Sequence, residues 1–203
     1  MWILHFLYHL KEGGTAGFVM ATGELSNSET ARLEVRKALV EQDCVDCIVQ
    51  LPGQLFANTQ IPCALWFLSK SRAGGHGFRP RKGEILFIDG RKLGALIPGS
   101  RKQKQWADDE IEKVAAVYRQ FRWQGVPDEV PGFCRVAKLD EVREHNYALT
   151  PGRYVGSGDG EDDEEEFEEK MPKLVSTLKK QFEESAKLEQ AIRVNLQEAG
   201  YGG

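Results

Sequence analysis

Residues 45–70, VDCIVQLPGQLFANTQIPCALWFLSK, constrain the fold more than any other stretch. Val45, Cys47 and Val49 alternate with Cys44, Ile48 and Gln50, and Ala64-Leu65-Trp66-Phe67-Leu68 is a continuous apolar run. Both runs are short, rich in β-branched or aromatic residues and bounded by turn residues, so both read as strands. Between them lies a loop carrying one ring, Phe56, beside the small polar side chains of Asn58, Thr59 and Gln60. A loop set at the ends of two buried strands is a usual place for a site. The plainer alternative is a hairpin with Phe56 turned into the core.

The flanking segments build on this pair. Residues 2–11 repeat apolar side chains at helical spacing, with His5 and His9 on the opposite side. Two histidines four apart can ligate a metal, but the Glu of H-E-x-x-H is missing, which favours a solvated pair. Gly13-Gly14 ends this helix. Residues 15–22, TAGFVMAT, are apolar almost throughout, which predicts a strand buried on both faces of a parallel sheet. Ser26 or Ser28 caps a second helix over 29–40, with Arg36-Lys37 on its basic side. Strand, helix and strand then form a βαβ-type crossover, and the strand at 63–70 returns antiparallel. Residues 71–83 read as a mobile Gly-rich loop, 84–89 as a strand, 91–105 as irregular, 108–122 as an amphipathic helix and 126–136 as a connector.

The net charge of −4 conceals a division. Residues 161–169 are carboxylates interrupted only by Phe167, whereas 70–104 carry ten Lys and Arg against Glu84 and Asp89. Within that basic stretch Arg79, Arg81, Lys82, Arg91, Lys92, Arg101, Lys102 and Lys104 are candidates to face a polyanion, the alternative being a solvated surface. Cys44 and Cys47 form a C-x-x-C without a second pair, so buried thiols are favoured over zinc or redox chemistry, and no metal is expected. No apolar run approaches the ~20 residues of a membrane span, and free thiols suit a reducing, cytoplasmic setting.

After a GSGDG linker, residues 164–199 read as one helix. Leu174, Leu178, Phe182, Leu188 and Ile192 recur at three- and four-residue steps. Pro172 either kinks this helix or marks its start. Its apolar stripe folds back or meets another chain, and the flexible linker favours the second. The expected division is 1–105 as an α/β portion, which the resemblance described below makes the C-terminal portion of a catalytic domain, 106–156 as a helical and extended connector, 157–163 as an acidic linker and 164–203 as a partner-docking helix.

Several segments together resemble a known family: GGTAGFVMATGEL, VRKALVEQDCVDCIVQLPGQLFANTQIPCALWFLSK, GEILFIDGRKLG, LTPGRYVG and FEEKM. They are similar to the C-terminal half of the modification (M) subunit of type I restriction–modification systems, adenine-N6 DNA methyltransferases that use S-adenosylmethionine. The resemblance covers nearly the whole chain. It implies the late half of a Rossmann-like methyltransferase sheet, with parallel strands plus an antiparallel hairpin, followed by a C-terminal helical segment. Residues 15–22 would be the fifth strand of that sheet. Related enzymes extrude the target adenine, whose N6 is out of reach in the stack. Phe56 matches the ring that stacks on it, with Asn58 and Thr59 steadying the loop or touching backbone. The C-terminal helix would dock on the specificity (S) subunit, alongside a restriction subunit.

Two family elements are missing: the Gly-rich cofactor turn and the Asn-Pro-Pro-Phe/Tyr segment that holds the amino group. In the family they precede the point matching Met1. The expectation is a fragment that binds no cofactor and transfers no methyl group alone. A half-sheet would also leave apolar edges that favour self-association. The competing expectation is a non-catalytic assembly module, binding a specificity subunit or DNA.

Overall fold

The computed structural model describes residues 2–75, 77–156 and 167–200. The chain divides into two compact units, Met1–Gly160 and Glu161–Gly203. In chain order the first holds α1 (Trp2–His9), β1 (Thr15–Ala21), α2 (Thr30–Glu41), β2 (Val45–Gln50), β3 (Cys63–Ser69), β4 (Glu84–Asp89), β5 (Ala95–Leu96), β6 (Lys104–Gln105), α3 (Asp108–Arg119), β7 (Cys134–Lys138) and α4 (Leu139–Glu144). The second holds α5 (Phe167–Glu198), with Pro172 inside it.

Among the described residues, five strands form one sheet in the order β1-β3-β2-β4-β7. β3 runs antiparallel to both β1 and β2, β2 is parallel to β4, and β7 is antiparallel to β4. The expected crossover therefore exists in direction, but β3 is inserted between its two strands. β2 and β4 are buried at every position, as expected of central strands covered on both faces. Val45, Ile48, Trp66 and Phe87 pack in the core that takes in α1, α2 and Leu149. Cys47, Val49, Leu86 and Ile88 pack in the other, under Val114 of α3 and Phe121.

β1 corrects the sequence reading. It lies at the sheet edge beside an antiparallel neighbour, and Gly17, Val19 and Ala21 are exposed. Its apolar composition suits a central strand, but composition does not say how many neighbours a strand has. The stretch 126–136, read as a connector, leads into β7, whose charged CRVAK sequence hides a strand held by five register partners on β4. Residues 106–156 thus contribute a strand and two helices to the first unit. No serine side chain caps α2. Glu29 stands at its N-cap, and Asn27 Oδ1 accepts from the Glu29 N–H at 2.8 Å. Arg36 is buried and donates to the carbonyls of Tyr147 (2.8 Å), Asn27 (3.0 Å) and Glu24 (3.3 Å). A residue expected on a solvated face therefore ties α2 to two loops.

Candidate functional site

The carboxyl ends of parallel strands are where open α/β sheets place ligands, because the connecting loops converge there. Here that end of the β2–β4 pair carries the Phe56 loop after β2 and a two-stranded ribbon after β4. The loop has a rigid base: Leu51 and Pro52 are buried, and the Leu51 N–H donates to the Cys63 carbonyl at 2.8 Å. Gly53 is required, since a Cβ there would lie 2.7 Å from the Gln60 carbonyl oxygen. Gln54 adopts φ 68°, turning the chain outward. A tight turn follows, in which the Thr59 N–H donates to the Phe56 carbonyl (3.4 Å) and Thr59 Oγ1 accepts from the Ile61 N–H (3.1 Å). Thr59 thus steadies the loop. Phe56 is 43% exposed, and Asn58 is exposed beside it. The plain-hairpin alternative, with the ring inside the core, is not what the structure holds.

The ribbon is fastened to this loop. The Lys104 N–H donates to the Gln54 carbonyl at 2.8 Å. Ser100 Oγ accepts from the N–H groups of Lys102 (3.2 Å) and Gln103 (3.0 Å), which shapes the ribbon tip. At its root Gly94, at φ +88°, passes so close to Trp106 that a Cβ would lie 2.9 Å from the ring. Glu110, in the first turn of α3, accepts from the N–H groups of Gly94 (2.8 Å) and Ala107 (2.9 Å). Those two backbone donors hold its carboxyl below the usual carboxylate range. Arg101 and Lys102 are exposed at the tip and Lys104 is half-buried. Arg91 and Lys92 are exposed at the start of the segment, with Arg91 Nη2 2.6 Å from Asp89 Oδ2. The LTPGR segment closes the group: a Cβ on Gly152 would lie 2.9 Å from Arg91 Nη2.

Arg79 and Arg81 do not join this surface. Arg81 is fully buried and donates to both Asp46 oxygens, at 2.6 and 3.2 Å. Arg72 and Arg122 lie 3.7 and 3.8 Å from the same carboxylate, and the Tyr118 hydroxyl donates to it at 3.2 Å. Arg79 pairs with Glu84 at 2.8 Å and lies 4.8 Å over the Phe121 ring. Burial pushes the Arg72 guanidinium below its ordinary value, and burial beside Asp46 pushes the Tyr118 hydroxyl up. Three arginines thus anchor a segment read from sequence as a mobile loop. Asp46 lies near the amino end of β2, so this cluster stands roughly 15 Å from the Phe56 end. Lys82 is exposed at this far end too.

Among the described residues, no three His, Cys, Asp or Glu side chains converge on a metal position. His5 and His9 remain on α1, and Cys44, Cys47, Cys63 and Cys134 are free thiols. No described helix is long and apolar enough to cross a membrane. A nucleoside cofactor is held by open backbone donors and a free carboxylate on its ribose, and three carboxylates of the first unit are already engaged. Glu24 pairs with Arg32, Asp89 with Arg91, and Glu110 with two N–H groups. A cavity of about 250 Å³ lies between α1, β1 and α2 over Trp66, and no Phe56-loop residue lines it. On α5, considered by itself, Leu174, Leu178, Phe182, Leu188 and Ile192 are all exposed.

The chain belongs to the N-6 DNA methylase family, whose profile matches residues 1–163. It is 40% identical over 200 residues to the type I restriction enzyme HindI methylase subunit of Haemophilus influenzae, covering 98% of this chain and 43% of that protein. It is also 40% identical over 203 residues to the type I restriction enzyme MjaIX methylase subunit of Methanocaldococcus jannaschii, covering 99% of this chain and 35% of the relative. The chain therefore spans less than half the length of either. Its fold matches the type I restriction–modification methyltransferase subunit of Streptococcus thermophilus, with TM-score 0.64 and 30% identity over 76% of this chain and 29% of that one. The mixed sheet is that of a methyltransferase M subunit.

Proposed function

We propose that this chain is the part of a type I modification subunit that receives the extruded adenine and docks the partner protein. Phe56 stacks on the base, Asn58 reaches its flank or backbone, and Thr59 holds the loop. Lys104, Lys102, Arg101, Lys92 and Arg91 meet phosphates. Arg79 and Arg81 serve the fold, and Lys82 is remote from the loop. α5 seats its apolar stripe on a specificity subunit. In the intact enzyme S-adenosylmethionine supplies the methyl group, and the restriction subunit joins the same assembly. This chain alone binds no cofactor and transfers no methyl group.

The observation that carries this reading is Phe56: a ring 43% exposed on a loop that is hydrogen-bonded to a basic ribbon. Stacking on an aromatic side chain contributes about 1–3 kcal/mol per base. Phe56→Ala is therefore expected to weaken binding of an adenine-rich single strand by roughly fivefold to a hundredfold, measured by fluorescence anisotropy. Wild-type affinity should fall steeply with added salt, as phosphate contacts release counterions. Unchanged affinity in the variant contradicts the stacking role, and salt-independent binding contradicts the phosphate contacts. Labelled methyl groups from S-adenosylmethionine should not reach DNA with the purified chain, and clear turnover would refute that part.

One observation favours the assembly-module reading: the stripe on α5 is exposed from Leu174 through Ile192. Under it the chain binds a specificity subunit and makes no use of Phe56.

A further inference from the structure

We propose that Glu110 is a positioning residue for the base-receiving ring: it fastens the β5–β6 ribbon at its root, and the ribbon in turn sets the place of the Phe56 loop. This rests on the stacking role of Phe56 and adds what holds that ring where it is. Glu110 is the third residue of α3, behind Ala107 at the N-cap, and its Oε2 accepts from the Ala107 N–H at 2.9 Å. A capping glutamate needs only that bond. Its other oxygen, Oε1, reaches beyond the helix and accepts from the Gly94 N–H at 2.8 Å, 16 positions away. Gly94 immediately precedes β5, and Ala107 follows β6 after Trp106. One carboxylate therefore closes both legs of the hairpin.

The root leaves little play. A Cβ on Gly94 or on Gly90 would stand 2.9 Å from the Trp106 ring, so that ring is wedged against the backbone leading into the ribbon. Trp106 and Leu55 of the Phe56 loop pack against the same core cluster. The far end of the ribbon is equally set: the Ser100 N–H donates to the Ile97 carbonyl at 2.8 Å, and the Ile97 N–H to the Gln103 carbonyl at 2.9 Å. In an antiparallel ladder the backbone groups of successive residues point to alternate sides. Ile97 and Gln103 face each other, so Leu96 and Lys104, the next pair, turn theirs outward. The Lys104 N–H spends its outward bond on the Gln54 carbonyl at 2.8 Å, two residues before Phe56. A continuous path of hydrogen bonds and ribbon pairing thus joins Glu110 to the loop that carries the ring.

Glu110→Gln and Lys104→Pro cut this path at its two ends. Gln is itself a capping-box residue, but it presents an NH2 where one of the two oxygens stood, so one leg is released. Proline at 104 removes the N–H given to Gln54 and no ribbon bond, and Lys104→Ala, which keeps that N–H, controls for the lost charge. Amide exchange in the full chain at Thr59 and Ile61, whose N–H groups close the Phe56 turn, should quicken in Glu110→Gln and Lys104→Pro and stay as in the wild type in Lys104→Ala. Affinity for an adenine-rich single strand should fall roughly threefold to tenfold in Glu110→Gln, and in Lys104→Pro relative to Lys104→Ala. Neither loss should appear once Phe56→Ala is already present, whereas a side chain that only stabilised the fold would cost the same in both backgrounds. Unchanged exchange at Thr59 and Ile61 overturns the proposal, as does a binding loss that persists in full beside Phe56→Ala. A Phe56→Ala variant that binds like the wild type refutes the stacking reading instead, and the exchange rates then decide whether the ribbon sets the loop. Should Lys104→Pro fail to fold, Glu110→Gln decides by the same two readouts.

Discussion

Near the start of β2, fully buried, Asp46 collects Arg81, Arg72, Arg122 and the Tyr118 hydroxyl. One carboxylate among three guanidiniums leaves little slack, and the Nε atoms of Arg72 and Arg122 find no hydrogen-bond acceptor. Arg72 offsets part of this by donating to the carbonyls of Val45, Arg81 and Glu84. Removing this carboxylate strands the buried Arg81, although Asp43 still lies 3.7 Å from Arg72, and breaking a buried pair costs about 3–5 kcal/mol. Asp46→Asn is therefore expected to lower unfolding free energy by that order, read from urea denaturation. A loss below about 1 kcal/mol would mean the arginines find other partners. The same geometry separates two kinds of basic residue that look alike in sequence. Arg79 and Arg81 face carboxylates inside the molecule, whereas Arg101 and Lys102 are exposed to solvent. A charge count along the chain cannot distinguish them, because the partner of Arg81 lies 35 positions away.

At the scale of elements, α2 and α4 are joined by a surface knot. Glu41 accepts from Arg143 at 2.7 and 2.9 Å and from the Tyr147 hydroxyl at 2.8 Å. Those hydrogen bonds push its carboxyl down from 4.5 to about 2. A carboxyl depressed on folding contributes stability that is complete above its unfolded value, and loses it as the pH falls toward the folded value. The melting temperature should therefore drop as the pH falls from about 4.5 to about 2, and less so in Glu41→Gln. Equal slopes in the two proteins would show that this knot does not hold α4 to α2. β2 was legible from the alternation of its apolar residues despite the buried Asp46 and Gln50, and β4 from the apolar run between Glu84 and Asp89. β7 was not, since half its length is charged or small and its burial comes from a neighbour 46 or more positions earlier. The ribbon was hidden for a related reason: two-residue strands leave no periodicity to read. The Phe56 loop was found by its residue types, but its fastening to Lys104 depends on a contact no local pattern encodes.

At the scale of the whole molecule, the five-stranded sheet of the first unit presents two different ends. The carboxyl ends of β2 and β4 gather the ring, the ribbon and the LTPGR turn. The amino end is locked by buried charge. The claim on which this turns is that Phe56 meets a base. A single strand carrying one 5-iodouracil, irradiated with the purified chain and digested for mass spectrometry, reads that contact directly, because stacking tolerates any base. The adduct is expected on Phe56. Adducts confined to other residues, with Phe56 unmodified, would contradict it.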